Sequence, residues 1–362
     1  MTKKPIQRQL SDKRPTISEW KALYNAMREF KKLMPWEILS DEEEWAIQDP
    51  ETGKYGYVTV MGALGEHYAV TAYLEAEGLS GLYDLMEAVD EDRAADIILE
   101  TPMLQASLED RDLLDKQDHK ITRKLNMSFR GKNAWPWFRC YRPGFVPWHL
   151  EAWEVRFLSI AIEQVNLLTK RLKENPDLLT HIDVNHMFLR KPVLKDNAVQ
   201  WEDAIIEYPD NAEEKIHYNI HLDSLKALQK LPVSQTVLEI DLIRTFSPIA
   251  EKNKRPYYGY LMLLVDENSG MILGQELMVP LPDLNTMRSH TPQLVLDLLL
   301  KINLKPDSIL MCPGVFSDLT EPVFKEVGIP VVLRRFLAGI DEFRAGLKAF
   351  EMRDPSNGSF SG

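Results

Sequence analysis

Downstream of Gln235 the chain carries an order of segments that few architectures accommodate. Three apolar runs follow one another, "TVLEIDLIRTF", "YYGYLMLLVD" and "GMILGQELMV", with "ENSG" turning the second into the third. Helical and extended patterns then alternate. "TPQLVLDLLLKIN" has helical spacing, "SILMC" reads as a short buried strand and "LTEPVFKEVG" as a helix. "IPVVLRR" is a further strand and "LAGIDEFRAGLKAF" a closing helix. A three-strand meander leading into helix–strand–helix–strand–helix predicts a mixed sheet flanked by helices over residues 235–350, an α/β layer arrangement.

The upstream part has a different grain and reads as an α+β domain over residues 1–230. A helix from Ile17 to Leu33 is announced by a capping box of Thr16 and Glu19, with Trp20, Leu23, Tyr24, Met27 and Phe30 at helical spacing. "WAIQD", "YGYVTVM" and "EHYAVTAYL" are joined by turns at "PETG" and "GALG", an antiparallel meander. "EGLSGLYDLMEAV" reads as a helix, and a long amphipathic helix runs from about Glu151 to Lys173. "MFLRKPVL", "AVQWEDAIIEY" and "KIHYNIHL" read as strands, "LDSLKALQKL" as a short helix and "LPVSQ" as the linker. Residues 351–362 read as a disordered tail.

What the chain lacks weakens the ATPase, dehydrogenase and hydrolase readings. There is no P-loop, no dinucleotide-binding glycine fingerprint after a strand and no Gly-x-Ser-x-Gly elbow. No apolar run approaches the roughly 18 residues that span a bilayer, so no membrane partner is expected. The opening "MTKKPIQRQLSDKRP" has charge but no apolar core behind it, unlike a secretory signal. Two cysteines, Cys140 and Cys312, argue against a disulfide framework and fit a cytoplasmic protein. The net charge of -12 disfavours a chain wrapped in nucleic acid.

One segment runs against that acidity. "HKITRKLNMSFRGKNAWPWFRCYRPGFVPWHL", residues 119–150, contains seven lysines and arginines and no acid before its end. Arg130, Trp135, Trp137, Arg139, Tyr141 and Arg142 are the candidate binding residues, since cations hold phosphate and rings stack on bases. The alternative is structural, with the aromatic rings wedged into packing and the arginines paired with acids elsewhere. A nucleic acid or a protein is therefore the partner class left open. Histidines suggest no metal. His217 and His221 lie four residues apart, about 13 Å along a strand, and His181, Asp183 and His186 would need help from other segments. Glu66 and His67 could form an acid–base pair, though the adjoining glycines mark a tight turn.

The downstream order resembles the RNase H-like fold, and in detail the catalytic core of retroviral integrases and DDE transposases. "LEIDLIR" is similar to their first strand, with Asp241 as its central acid, and "YLMLLVDENSGMILG" to their second and third. "CPGVFSD" stands where those enzymes carry Asp-Asn-Gly followed by phenylalanine; Gly314 and Phe316 keep the pattern, and Cys312 takes the acid position. The resemblance implies two magnesium ions about 4 Å apart, held by hard oxygen ligands. A thiol holds magnesium poorly. Retained activity would have to use Asp241 with Asp266, Glu276, Asp341 or Glu342, and Glu351 is a further acid on the last helix. The bland alternatives are that Asp241 caps a loop or pairs with Arg244, Arg334 or Arg335, that Asp266 is a turn residue, and that Cys312 is structural. The N-terminal part, with "MPWEILSDEEEWAIQDPETGKYGYVTVMGALGEHYAV", resembles a bacterial family of unknown function that joins it to such a C-terminal domain. The expectation is a non-catalytic binding or scaffold protein on a degenerate site with no cofactor; a magnesium-dependent nuclease is the alternative.

Overall fold

The computed structural model describes residues 14–352 apart from 89, 90, 181, 197, 210–215 and 253. The chain forms two compact units. Among the described residues the first holds 14–142 and 147–209, and the second holds 143–146 and 216–352.

In the first unit the elements run α1 (Ile17–Leu33), β1 (Trp45–Gln48), β2 (Tyr55–Met61), β3 (Tyr68–Leu74), α2 (Glu75–Met86), α3 (Glu91–Glu100), β4 (Met103–Glu109), α4 (Lys116–Lys124), β5 (Trp135–Tyr141), α5 (Ala152–Glu174), β6 (His186–Lys195) and β7 (Ala198–Glu207). They build a seven-stranded sheet in the order β5-β4-β3-β2-β1-β6-β7. Every neighbouring pair is antiparallel except β1 with β6. The expected meander is therefore present and extends by two strands, β4 and β5. Thr16 and Glu19 close the capping box on α1: the Glu19 carboxylate accepts from Thr16 N at 2.6 Å, and Glu19 N donates to the Thr16 hydroxyl at 3.2 Å. The apolar faces of α1 and α5 cover one side of the sheet, burying Leu23, Met27 and Phe30 with Val155, Leu158, Ile162 and Val165. The other side buries Tyr57, Tyr73, Leu79, Leu82 and Met103 beneath α2.

In the second unit the order is α6 (Leu222–Lys230), β8 (Val237–Ile249), β9 (Tyr257–Asp266), β10 (Ile272–Met278), α7 (Leu284–Ser289), α8 (Thr291–Lys301), β11 (Ser308–Met311), α9 (Val315–Glu326), β12 (Val331–Leu333) and α10 (Ala338–Met352). The five-stranded sheet runs β10-β9-β8-β11-β12. The first three strands pair antiparallel; β11 joins β8 in parallel and β12 joins β11 in parallel. Leu238, Ile240, Met262 and Leu264 form one face, packed with Leu225 and Leu228 of α6 and with α8 and α9. Ile243, Leu263, Val265 and Leu310 form the other, packed with Leu337 and Ile340.

Two expectations differ from the structure. "KIHYNIHL" is not a strand: residues 216–221 have no regular structure. Its alternation is a burial pattern, because Tyr218 and Ile220 pack against the α6–α8–α9 core without a strand partner. Glu351 and Met352 end α10, and the rest of the expected tail, 353–362, lies outside the described residues.

Gly56 of β2 tests how closely α5 approaches the sheet. A Cβ there would lie 2.6 Å from the Phe157 ring, well inside contact distance. Gly56→Ala is expected to cost about 1–3 kcal/mol by urea denaturation through overpacking, and Phe157→Leu in the same chain to recover part of that loss.

Candidate functional site

The carboxylates that a metal-dependent core would need are distributed by strand register. Cross-strand partners point to the same face of a sheet, and successive residues to opposite faces. Asp241 of β8 pairs with Leu263, on the face that α10 covers. Asp266 pairs with Leu238, and Glu276 pairs with Met262; both lie on the opposite face, whose core is formed with α6, α8 and α9. Asp266 also stands three residues from the Asp241 level, about 10 Å along the strands. There it is a turn residue, accepting from Ser269 N at 2.8 Å and from the Ser269 hydroxyl at 2.7 Å. Asp341 turns back on its own helix start, accepting from Leu337 N at 3.0 Å, and Glu342 is exposed. The structure does not bring the five together.

Asp241 itself is half-buried and accepts from Leu242 N at 2.8 Å. Leu310 of β11 is level with Glu239, so two further residues set Cys312 beside Asp241. The Cys312 thiol packs against the Leu263–Val265–Ile340 cluster, and its sulfur lies 3.8 Å from the Arg335 carbonyl. Phe343 and Leu347 of α10 complete the cover on this face. Of the arginines considered for Asp241, Arg334 pairs with Glu267 at 2.8 Å, while Arg244 lies over the Tyr258 ring at 4.6 Å.

A carboxylate that the sequence reading overlooked organises this face. Glu239, 2% exposed, accepts from Gly339 N at 2.8 Å and from Ile340 N at 3.0 Å. Free N–H groups at a helix start favour a negative charge, so the carboxylate tethers α10 to β8. Gly339 is required by the closeness: a Cβ would lie 2.7 Å from Val265 Cγ1 and 3.1 Å from Glu239 Oε2. At the far end Glu351 accepts from Ser247 N. Glu239→Ala should cost about 1–3 kcal/mol for each N–H left without an acceptor, read as a lowered urea midpoint.

In the first unit, the basic aromatic segment becomes α4, a loop and the edge strand β5. Trp135, Trp137, Arg139 and Tyr141 alternate with Pro136, Phe138 and Cys140, so the two sets face opposite sides. Arg139 is 6% exposed and donates to both oxygens of Asp118, at 3.1 and 2.8 Å, and to Asp115 at 3.2 Å. Its guanidinium also lies 4.5 Å from the Trp137 ring centre. Arg142 reaches the buried Glu154 at 2.9 Å and Glu151 at 3.0 Å. Tyr141 donates to Gln105 at 3.2 Å, and Trp135 packs edge-on to His119 and against Phe129. Of the six candidate binding residues, Arg130 is the one left exposed.

Asp115, Asp118 and His149 bring their ligand atoms within 4.8 Å of one another, the one such trio of His, Cys, Asp or Glu found among the described residues. Arg139 fills it. A divalent cation there would meet a buried guanidinium, so the trio is an internal charge cluster. Burial works against the charged form of Asp115, but the His149 hydrogen bond, Asp118 N and the His149 and Arg139 charges outweigh it and hold its carboxyl well below the usual range. The Asp-x-x-Asp capping box that starts α4 was the legible signal: Asp115 accepts from Asp118 N at 2.9 Å, and Asp118 from Asp115 N at 3.2 Å. The histidine candidates do not gather. His186 pairs with Asp183 at 2.8 Å, His217 and His221 are exposed, and His181 lies outside the described residues. His67 faces Glu109 at 3.6 Å.

Arg139→Ala strips Asp118 of its buried partner and is expected to cost about 3–5 kcal/mol in urea unfolding at neutral pH. Asp115, whose folded pKa is depressed, contributes stability that is present above its unfolded value, about 3.9, and is lost as pH falls through the folded one. The gap between variant and natural protein should therefore narrow as the pH falls below about 4.

Comparison with known proteins adds two matches. Residues 20–190 are similar to a family described as a domain of unknown function (DUF7309), and residues 224–348 to another described in the same words (DUF6930). No curated protein matches the chain.

Proposed function

We propose that this protein is a non-catalytic binding or scaffold protein, bacterial and cytoplasmic, whose C-terminal unit is an RNase H-like sheet without the metal chemistry of that fold. The strand order third-second-first-fourth-fifth, with the first three antiparallel and the last two parallel, supports the fold reading. Cys140, buried, and Cys312, half-buried, form no disulfide, which fits a reducing compartment.

The observation that carries the proposal is the occupation of the Asp241 face. A pair of magnesium ions needs several carboxylate oxygens converging on one side of the sheet. Here the neighbour of Asp241 is a thiol, and the other buried carboxylate, Glu239, already accepts two helix N–H groups. The remaining strand acids point to the opposite face, and apolar side chains of α10 cover the space. These residues do not fit the ion pair, and no step is assigned to it.

What remains at this end of the sheet suits contact. In open α/β sheets ligands collect at the carboxyl ends of the strands. Beyond β11 and β12 that end presents Pro313, Gly314, Leu333 and Phe336 to solvent, the last 73% exposed. Exposed apolar groups clustered at such an edge favour a protein partner over nucleic acid.

The test is a cleavage assay on single- and double-stranded DNA and RNA with magnesium or manganese, using the full chain and Asp241→Ala. The expected result is no cleavage above background by either protein. Robust cleavage that Asp241→Ala abolishes would overturn the reading.

A further inference from the structure

The first unit contains a cavity of about 340 Å³ between α1 and the loop that leads into β5. Arg28, Lys31 and Lys32 occupy one face of α1 at spacings of three and four, and Arg130 reaches the same space from the loop. No acidic side chain lines it, and its apolar wall includes Leu108 and Phe129.

Four cations around one cavity repel one another unless something compensates them. Compensation from the protein is partial. Lys32 has Glu29 at 3.7 Å, a carboxylate that also serves Lys170 at 3.1 Å. Lys31 donates to the Asn133 carbonyl at 3.1 Å, which closes the loop on the helix but supplies no charge. Arg28 and Arg130 pair with no acid among the described residues. The contrast with Arg139, Arg142, Arg156 and Arg171, all paired with carboxylates, is large in a chain of net charge -12. Burial also pushes the Lys31 ammonium below its usual value, as expected where a cation lacks a counter-ion.

We infer that this cavity binds a nucleoside diphosphate, the phosphates held by Arg28, Lys31, Lys32 and Arg130 and the base lying against Phe129. Guanidinium forks match phosphate oxygens in pairs, and ammonium groups add point charge. The volume is at the small end of the roughly 300–1,000 Å³ usual for ligand pockets. Phe129 lines the cavity half-buried, its ring packed against Tyr24 at 6.0 Å and Trp135 at 5.7 Å. The site lies in the first unit and does not rest on the reading of the C-terminal sheet.

The experiment titrates the full chain with ADP at low salt by calorimetry, beside pyrophosphate, adenosine and a short single-stranded oligonucleotide. ADP should bind saturably at one site, pyrophosphate more weakly, and adenosine weakest. Arg28→Gln with Arg130→Gln should weaken ADP binding tenfold or more, while circular dichroism and Tm stay unchanged, because both side chains are exposed. Absence of saturable ADP binding, or a double variant that binds like the natural protein, overturns the inference. Pyrophosphate binding as tightly as ADP overturns the role of Phe129 and the nucleoside class. An oligonucleotide that displaces ADP at lower concentration overturns the small-ligand class in favour of a strand.

Discussion

Glu239 accepts the backbone N–H groups of Gly339 and Ile340 from a position 2% exposed, which ties the start of α10 to the central strand β8. The packing of α10 on its face of the sheet follows from that tether. With α10 held over β8 and β9, Ile340, Phe343 and Leu347 pack on Ile243, Leu263 and Val265. The face that carries Asp241 is thereby an apolar interface, and the carboxylate most buried in it is engaged in structure. A buried charge needs full compensation, and here two helix N–H groups supply it.

The first unit meets the same constraint with a different device. Asp118 and Glu154 are nearly inaccessible, and each is neutralised by an arginine from the segment that looked most like a nucleic-acid platform. Thr59, Thr71, Gln105 and Arg139 lie level across β2, β3, β4 and β5, a buried polar row that ends in this ion pair. Next to it Tyr57, Tyr73, Met103 and Tyr141 form an apolar row. Burial pushes the Tyr57 and Tyr73 phenols up to about 12, which keeps both uncharged inside that layer. Cations that the fold consumes in this way are unavailable to a ligand. Arg28 and Arg130 are not so consumed, and they stand around a cavity instead of inside the sheet.

Much of the architecture was legible because local signals agreed with the tertiary result. The capping box at Thr16 and Glu19, the heptad-like faces of α1 and α5, and the turns at "PETG" and "GALG" all formed as read. Strands β4 and β5 were not legible. "MLQASLE" buries both faces and so lacks alternation, and "WPWFRCY" contains a proline that only an edge strand tolerates. The roles of Asp115, Asp118, His149 and Glu239 were hidden for another reason. Their partners lie outside the local pattern, with Arg139 standing 21 residues from Asp118 and Ile340 standing 101 residues from Glu239.

The sequence by itself determined many of the helices and strands, β4 and β5 apart, since periodicity, caps and turn residues are local. It also placed a thiol, Cys312, just past β11, because that residue is visible in the chain. Tertiary structure alone decided which face of the sheet each carboxylate occupies and what covers it. Register is set by pairing between distant strands, and a shift of one residue would send Asp241 to the opposite side.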